Sequence, residues 1–182
     1  MAATTTIGTG PGSAGNIKPL VFNGTVKTGN LAPGAVDGQL AAQSKLLALS
    51  KATVTLTEVD HAEKILVLDR AAGVTVTLPA SSGKGAKYTF IVKTAVSSNS
   101  DIIKVANTSD SFVGRALACA DGGNGVNGWE VTAGDDTITL NGSTTGGYAG
   151  DTIELIDIGG KYAVNAYLNQ TSTEATPFSA TV

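Results

Sequence analysis

Residues Asp135–Leu168 read DDTITLNGSTTGGYAGDTIELIDIGGKYAVNAYL, three strand-like runs separated by glycine-rich breaks. In the first run Ile138 and Leu140 alternate with threonines, which is the two-residue period of a half-buried strand. The last run has the same period, which places four apolar side chains on one face: Tyr162, Val164, Ala166 and Leu168.

Gly159 and Gly160 stand alone between the second and third runs. A Gly-Gly pair readily adopts the positive φ angles that a two-residue type I′ turn requires. The sequence therefore predicts a β-hairpin that joins the run Asp151–Ile158 to the run Lys161–Leu168.

Similar runs, rich in β-branched and aromatic residues, precede this stretch. They are Thr53–Thr57, Ile65–Leu68, Val74–Leu78, Tyr88–Lys93, Ile102–Val105, Phe112–Val113 and Trp129–Thr132. About ten short strands at a spacing of roughly 8–15 residues are typical of an all-β sandwich or barrel rather than of alternating strands and helices. We therefore predict an all-β fold, an antiparallel β-sandwich or barrel, over residues 51–182, ending in the polar tail Asn169–Val182, which crosses to a neighbour.

Residues 1–50 differ from the rest, because glycines and prolines interrupt them and leave few apolar side chains to bury. Leu20, Val21 and Phe22 form one short apolar cluster there. This pattern predicts an extended N-terminal arm that orders only against a partner, with these three residues as the contact. The alternative is a tail with no partner. Asp37–Leu49 is the one stretch that predicts a short helix, capped by Asp37.

Composition limits the classes of partner. Charged residues make 15% of the chain and aromatic residues 5%, and the net charge is −3. Such a chain has no basic field to attract nucleic acid or an anionic membrane, so neither is a predicted partner. Cys119 is the only cysteine, which rules out an intrachain disulfide. The first residues lack the features of a secretory signal peptide, so we expect synthesis in a cytoplasm.

Several motifs have a chemical interpretation as well as a simpler one. Gly10–Gly15 matches G-x-G-x-x-G but lacks the preceding strand and following helix of a dinucleotide site. Gly122–Trp129 resembles one calcium β-roll repeat, but such repeats bind metal in tandem, so a turn is predicted. Asp135, Asp136 and Asp151 could share a calcium ion if their loops met. The simpler interpretation is three turn residues.

His61 is the only histidine, and Asp60 and Glu63 flank it. A His–Asp pair can orient a general base, but neighbours on an extended chain point to opposite faces, so a surface histidine is predicted. One histidine and one cysteine are too few for the common zinc sites. The chain has no nucleophile elbow and no phosphate-binding loop. We therefore predict no enzyme activity, catalytic residue, metal or cofactor.

Three segments in order carry a family resemblance: Leu78-Pro79 followed by SSGKGAKYTFIV, then Asn141-Gly142, then Gly150-Asp151 leading into TIELIDIGGKYAV. Over about Thr53–Phe178 the chain resembles the small head-decoration (capsid cement) proteins of tailed bacteriophages, especially marine and cyanobacterial phages. The resemblance implies a β-rich homotrimer without enzymatic activity, assembled in the host cytoplasm. It would bind the major capsid protein on the outside of the head and stabilise the lattice.

Other functions remain open. Similar Gly/Thr-rich strands occur in trimeric phage tail and fibre proteins, and a glycan-binding module would stack sugars on Trp129 or on one of the four tyrosines. A hydrolase with dispersed carboxylates is the third alternative.

Overall fold

Twelve strands and one helical turn form the part of the protein that the computed structural model describes, residues 45–120, 125–171 and 173–182. The elements are β1 (Leu46–Leu49), β2 (Thr53–Thr55), α1 (Glu58–His61), β3 (Ile65–Leu68), β4 (Thr75–Thr77), β5 (Lys87–Val92), β6 (Asp101–Lys104), β7 (Ser111–Ala120), β8 (Val126–Glu130), β9 (Thr137–Leu140), β10 (Thr152–Asp157), β11 (Lys161–Gln170) and β12 (Phe178–Ser179). Within these ranges no helix has the length and hydropathy needed to cross a membrane.

The strands form two mixed sheets. The seven-stranded sheet has the order β1-β3-β5-β10-β11-β7-β8, and the five-stranded sheet has the order β12-β9-β6-β4-β2. One hydrophobic core takes side chains from both sheets, among them Leu66 and Leu155 from the larger and Val76 and Ile138 from the smaller. The chain is therefore nearly all β, as the sequence predicts.

The first six strands alternate between the two sheets. Each strand from β3 to β6 pairs in parallel with the strand two places earlier, so β1, β3 and β5 stack in one sheet and β2, β4 and β6 stack in the other. This is the winding of a short β-solenoid. The antiparallel strands β9 and β10 then continue the stacks. The predicted antiparallel arrangement is wrong for these pairs, and neither sheet closes into a barrel.

The hairpin predicted at Gly159 and Gly160 is confirmed. Both glycines have positive φ angles, 88° and 67°, and β10 pairs antiparallel with β11 on either side of them. The four side chains predicted to share a face in β11 are all buried. Ile65–Leu68 is a strand with the predicted bounds.

Two predictions for the chain ends are wrong. Leu46–Leu49, the end of the predicted helix Asp37–Leu49, is strand β1, because it pairs in register with Ile65–Leu68. Sheet pairing here overrides a helical preference worth only tenths of a kcal/mol per residue. The tail Asn169–Val182 folds back onto its own domain, where Phe178 is buried and pairs with Ile138 of β9.

Gly73 lies where successive turns of the solenoid come close together. Its φ angle is +72°, and a Cβ atom added to it would lie 2.2 Å from the carbonyl oxygen of Ser100, just before β6. Gly85 has nearly the same φ angle, +76°, but no atom lies within 4 Å of an added Cβ. Alanine substitutions at the two glycines therefore distinguish the cost of backbone strain, which both share, from the cost of a steric clash, which occurs only at Gly73.

We expect Gly85→Ala to lower the free energy of unfolding by about 1 kcal/mol, the usual cost of a left-handed alanine. Gly73→Ala should lower it by about 3 kcal/mol or more, because the Ser100 backbone must move as well. Urea unfolding of the two variants measures both values. Equal losses would show that the two turns are not packed at Gly73 as described.

Candidate functional site

The outer face of the seven-stranded sheet, which points away from the shared core, collects most of the exposed large apolar side chains. Eight such side chains occur among the described residues, and six of them lie on this face: Leu46, Ile65, Val113, Leu117, Val126 and Tyr167. The other two, Val59 and Ile158, lie in α1 and in the β10–β11 turn. The concentration of apolar groups on one face marks it as the candidate interaction surface.

One register row crosses the outer face through all seven strands. From β1 to β8 the paired residues are Ala48, Val67, Ile91, Thr152, Tyr167, Leu117 and Gly128. Only Thr152 and the Tyr167 hydroxyl are polar in this row. Strands lie about 4.8 Å apart, so the row spans roughly 29 Å. An apolar row of this length can contact another protein surface, and the neighbouring row adds the charged residues Glu154, Arg115 and Glu130.

The outer face of the five-stranded sheet has the opposite character. One in-register row contains Thr53, Thr75 and Ile102, and the next contains Thr55, Thr77 and Lys104. Hydroxyl and ammonium groups keep their hydrogen bonds to water when they are exposed. This threonine face therefore needs no covering partner and serves as an internal comparison for the apolar outer face.

Tyr167 stands in the middle of the outer face, with 63% of its surface exposed. It lines a shallow hollow of about 490 Å³ whose other walls are Thr89, Thr152, Ile153, Glu154 and Asn165. Lys87 forms an ion pair with Glu154 on the neighbouring strand. The hollow thus places one exposed aromatic ring beside amide, hydroxyl and carboxylate groups.

Trp129 is held by contacts within the domain. Its Nε1 donates a hydrogen bond to Oε1 of Gln170 at 3.0 Å, and the half-buried ring packs against the core. Gln170 is itself buried and donates to the carbonyl of Ala175. Trp129 therefore fastens β8 to the C-terminal segment, and Tyr167 is the better-exposed ring for a ligand.

His61 and its acidic neighbours form a local cap. Thr57 is the N-cap residue of α1; its backbone N–H donates to Nδ1 of His61 at 3.0 Å, and its hydroxyl donates to Asp60. Glu63 points elsewhere and accepts the backbone N–H of Lys87. These contacts order the turn after β2 and do not assemble a proton-transfer site.

The three aspartates considered for calcium each accept hydrogen bonds from a different part of the chain. Asp135 accepts hydrogen bonds from Thr132, Asp136 from Thr181 and Val182, and Asp151 from Gly147 and Asn169. Among the described residues no group of three or more His, Cys, Asp or Glu side chains could hold a metal ion. Each carboxylate instead fastens a loop.

Asp157 shows this fastening most completely. Its two oxygens accept bonds from the backbone N–H groups of Ser82, Gly83 and Gly159 and from the hydroxyls of Ser81 and Ser82. Burial opposes ionisation, but these donors outweigh it and lower the pKa of Asp157. A loop of the β4–β5 connection is thereby held to the β10–β11 hairpin.

Asp101 is the exception among these carboxylates. It is buried at the start of β6, where Oδ1 accepts the backbone N–H of Val74 at 2.7 Å. Its Oδ2 has no hydrogen-bond partner among the described residues. Burial raises the pKa of Asp101 to about 6, and the bond from Val74 only partly offsets this.

Some predicted residues fall outside the described ranges. These are Leu20, Val21 and Phe22, the Gly10–Gly15 motif, residues 37–44 of the predicted helix, and residues 122–124 of the Gly122–Trp129 stretch. The contact predicted for the apolar cluster therefore stays a prediction.

Sequence analysis does not identify the exposed apolar residues of the outer face as a candidate site. Asn165 and Tyr167 alternate with the buried residues of β11, so an exposed aromatic ring could have been inferred from the period alone. Strand β7 was predicted only around Phe112–Val113, because its inward residues Ala116 and Ala118 are too small to give a clear apolar pattern.

The chain matches no family model, and no curated protein or solved structure shows significant similarity to it. Its function is therefore inferred from the chemistry of its own surfaces.

The buried carboxyl of Asp101 predicts a pH-dependent difference between wild type and Asp101→Asn. The pKa is higher in the folded state than in the unfolded state, so the folded state holds the proton more tightly. The free energy of unfolding of the wild type, relative to Asp101→Asn, should fall as pH rises from about 4 to about 6 and then level off. Urea unfolding across this pH range measures the difference.

Asp136→Asn is the matched control. Although burial opposes ionisation of Asp136, hydrogen bonds from Thr181, Thr137 and Val182 lower its pKa in the folded state. The wild-type advantage over Asp136→Asn should therefore grow, not shrink, as pH rises through the acid range. A flat difference for Asp101→Asn would mean that water reaches this carboxyl.

Proposed function

We propose that this protein is a structural protein of a virion, a decoration or cement protein without enzymatic activity. It binds the major capsid protein on the outer surface of a phage head and stabilises the lattice. The observation that carries the proposal is the apolar outer face of the seven-stranded sheet. The resemblance of residues 53–178 to head-decoration proteins supports the same assignment.

The outer face supports an assembly function because its exposed apolar side chains are unfavourable in water and gain free energy when another protein covers them. Burying apolar surface yields about 25 cal/mol per Å², so a strip that includes Leu117 and Tyr167 has a large driving force for contact. The threonine face offers less apolar surface, since threonines and Lys104 surround Ile102 there. A cement protein needs this asymmetry, because one side grips the shell and the other faces solvent.

The rigidity of the domain supports the proposal as well. We infer that the two sheets face each other across their shared core as an open sandwich. Buried aspartates such as Asp151 and Asp157 fix the loops at the strand ends. Repeated copies of a rigid clamp can hold a lattice, since multivalent contacts multiply modest affinities.

Leu117→Glu should lower binding to purified phage heads that lack this protein by at least tenfold, because a carboxylate in a desolvated interface is costly. Thr55→Glu, on the threonine face, is the matched control and should bind like wild type. Co-sedimentation with the heads measures both. Equal binding by the two variants would exclude the outer face as the capsid contact.

Deletion of Met1–Asn30 separates the arm from the outer face. Full loss of head binding by this variant, with its β domain folded, would support the predicted contact through Leu20, Val21 and Phe22. Unchanged binding of this variant to the heads would refute the arm contact and leave the outer face as the capsid-binding surface.

A second candidate, a glycan-binding module of a tail or fibre, is favoured by one observation. The Tyr167 hollow combines an exposed ring with Asn165, Thr89 and Thr152, and saccharide sites use such a mixture of stacking and hydrogen bonding.

If this candidate is correct, glycan-array binding should be present in wild type and fall at least tenfold in Tyr167→Ala, because the stacking platform is removed. Tyr148→Ala, whose hydroxyl is hydrogen-bonded to Thr171, is the control for loss of a tyrosine elsewhere. Absence of glycan binding in wild type would eliminate this candidate and leave the capsid proposal intact.

A further inference from the structure

Strand β8 is the last strand of the seven-stranded sheet, and within the described residues it pairs along one edge, with β7. No described residue donates to or accepts from its other edge. Its sequence, VNGWE, contains neither proline nor lysine, which commonly protect an exposed edge, and its one charged residue is Glu130 at the end of the strand. An unprotected edge is a template for another strand.

The register shows which backbone groups point to the open side. The N–H of Val131 donates to Gly114, and the carbonyl of Gly125 accepts from Ala120, so odd-numbered residues face β7. In an antiparallel ladder the direction alternates from one residue to the next. The N–H and C=O groups of Val126, Gly128 and Glu130 therefore point outward.

We propose that β8 pairs antiparallel with β8 of a second copy of this chain, about a two-fold axis at Gly128. In that register Gly128 faces Gly128 of the second copy, and Val126 faces Glu130 of the second copy. Each facing pair exchanges both of its hydrogen bonds. Every outward N–H and C=O of the strand then has a partner, and the contact is self-complementary, as a two-fold interface must be.

Side chains on β8 are compatible with this pairing. Gly128 has no side chain at the axis, and its neighbour on the same face is Leu117 of β7. Glu130 lies opposite an apolar valine rather than opposite its own symmetry mate, so no like charges meet across the pair. Val126, which is exposed in one copy, packs beside its partner strand.

A second copy fits this edge because one strand supplies both halves of the pair: Gly128 meets Gly128 with no side chain at the axis, and no like charges face each other. Pairing would join two outer faces into one continuous apolar surface, because Leu117 and Val126 of both copies flank the axis. The pairing does not depend on capsid binding. It predicts two copies, whereas the homotrimer implied by the family resemblance would need head-to-tail contacts.

The test is the mass of the full-length protein in solution, measured by sedimentation equilibrium over a concentration series. Wild type should reach twice 18.2 kDa. Gly128→Pro should remain at the single mass, because proline removes the N–H at the axis and places its ring in the path of the partner strand. The ladder to β7 keeps its bonds, since the Gly128 N–H does not face β7.

Gly128→Ala is the matched control and should still pair. An added Cβ would make only ordinary contact with Leu117, at 3.8 Å, and the axial N–H is kept. A wild type that is monomeric or trimeric at every concentration would overturn the proposal. A monomeric wild type that pairs only when residues 1–44 are removed would overturn it too, because the edge would then be covered by the chain's own segment.

A crosslinking measurement keeps the proposal testable if Gly128→Pro fails to fold. In a Cys119→Ala background, Gly128→Cys should be joined into dimers by a short bismaleimide, since facing Cα atoms at the axis lie about 5.5 Å apart. Thr53→Cys, an exposed residue on the other sheet, should not be joined. Equal crosslinking of the two variants, or none at Gly128→Cys, would refute the two-fold pair.

Discussion

The shared hydrophobic core between two sheets is the constraint on which the rest of the structure depends. Because the first six strands alternate between the sheets, every strand must send alternate side chains into the same core. Half of each strand's residues are thereby committed to packing. The other half are free to differ between the two outer faces, and in this protein they do. Fold and surface chemistry are thus encoded in alternate positions of the same strands.

The turns of this fold are stabilised by buried carboxylates rather than by helices or disulfides. A chain with so many glycines has loops that cost much conformational entropy to order. Aspartates such as Asp157 and Asp151 offset that cost by accepting several backbone N–H groups each. The acidic residues that sequence analysis considers for metal binding are therefore committed to the fold, which explains why they do not converge on a site.

Local patterns in the sequence predict the local structure well. The alternation in Lys161–Leu168 and the Gly159-Gly160 pair are sufficient for the β10–β11 hairpin, because both strands and the turn are contiguous. Parallel pairing of β1 with β3 is not predictable in this way, since it joins segments separated by other elements. The helical interpretation of Leu46–Leu49 failed for this reason. The apolar outer face is not predictable for the same reason, because it forms only when strands distant in sequence lie side by side.

The outward edge of β8 and the exposed apolar residues of the outer face meet at the same end of the sheet. An edge strand that has no pairing partner is usually protected by charged residues, proline or a bulge. Among the described residues, none pairs with the outward backbone groups of β8, and the exposed side chains of Val126 on β8 and Leu117 on β7 lie beside this edge. Backbone hydrogen bonding can align two copies, and the apolar faces then supply the surface that both copies present together. Directional hydrogen bonds and non-directional apolar contacts would thus act on adjacent parts of one surface in the proposed pair.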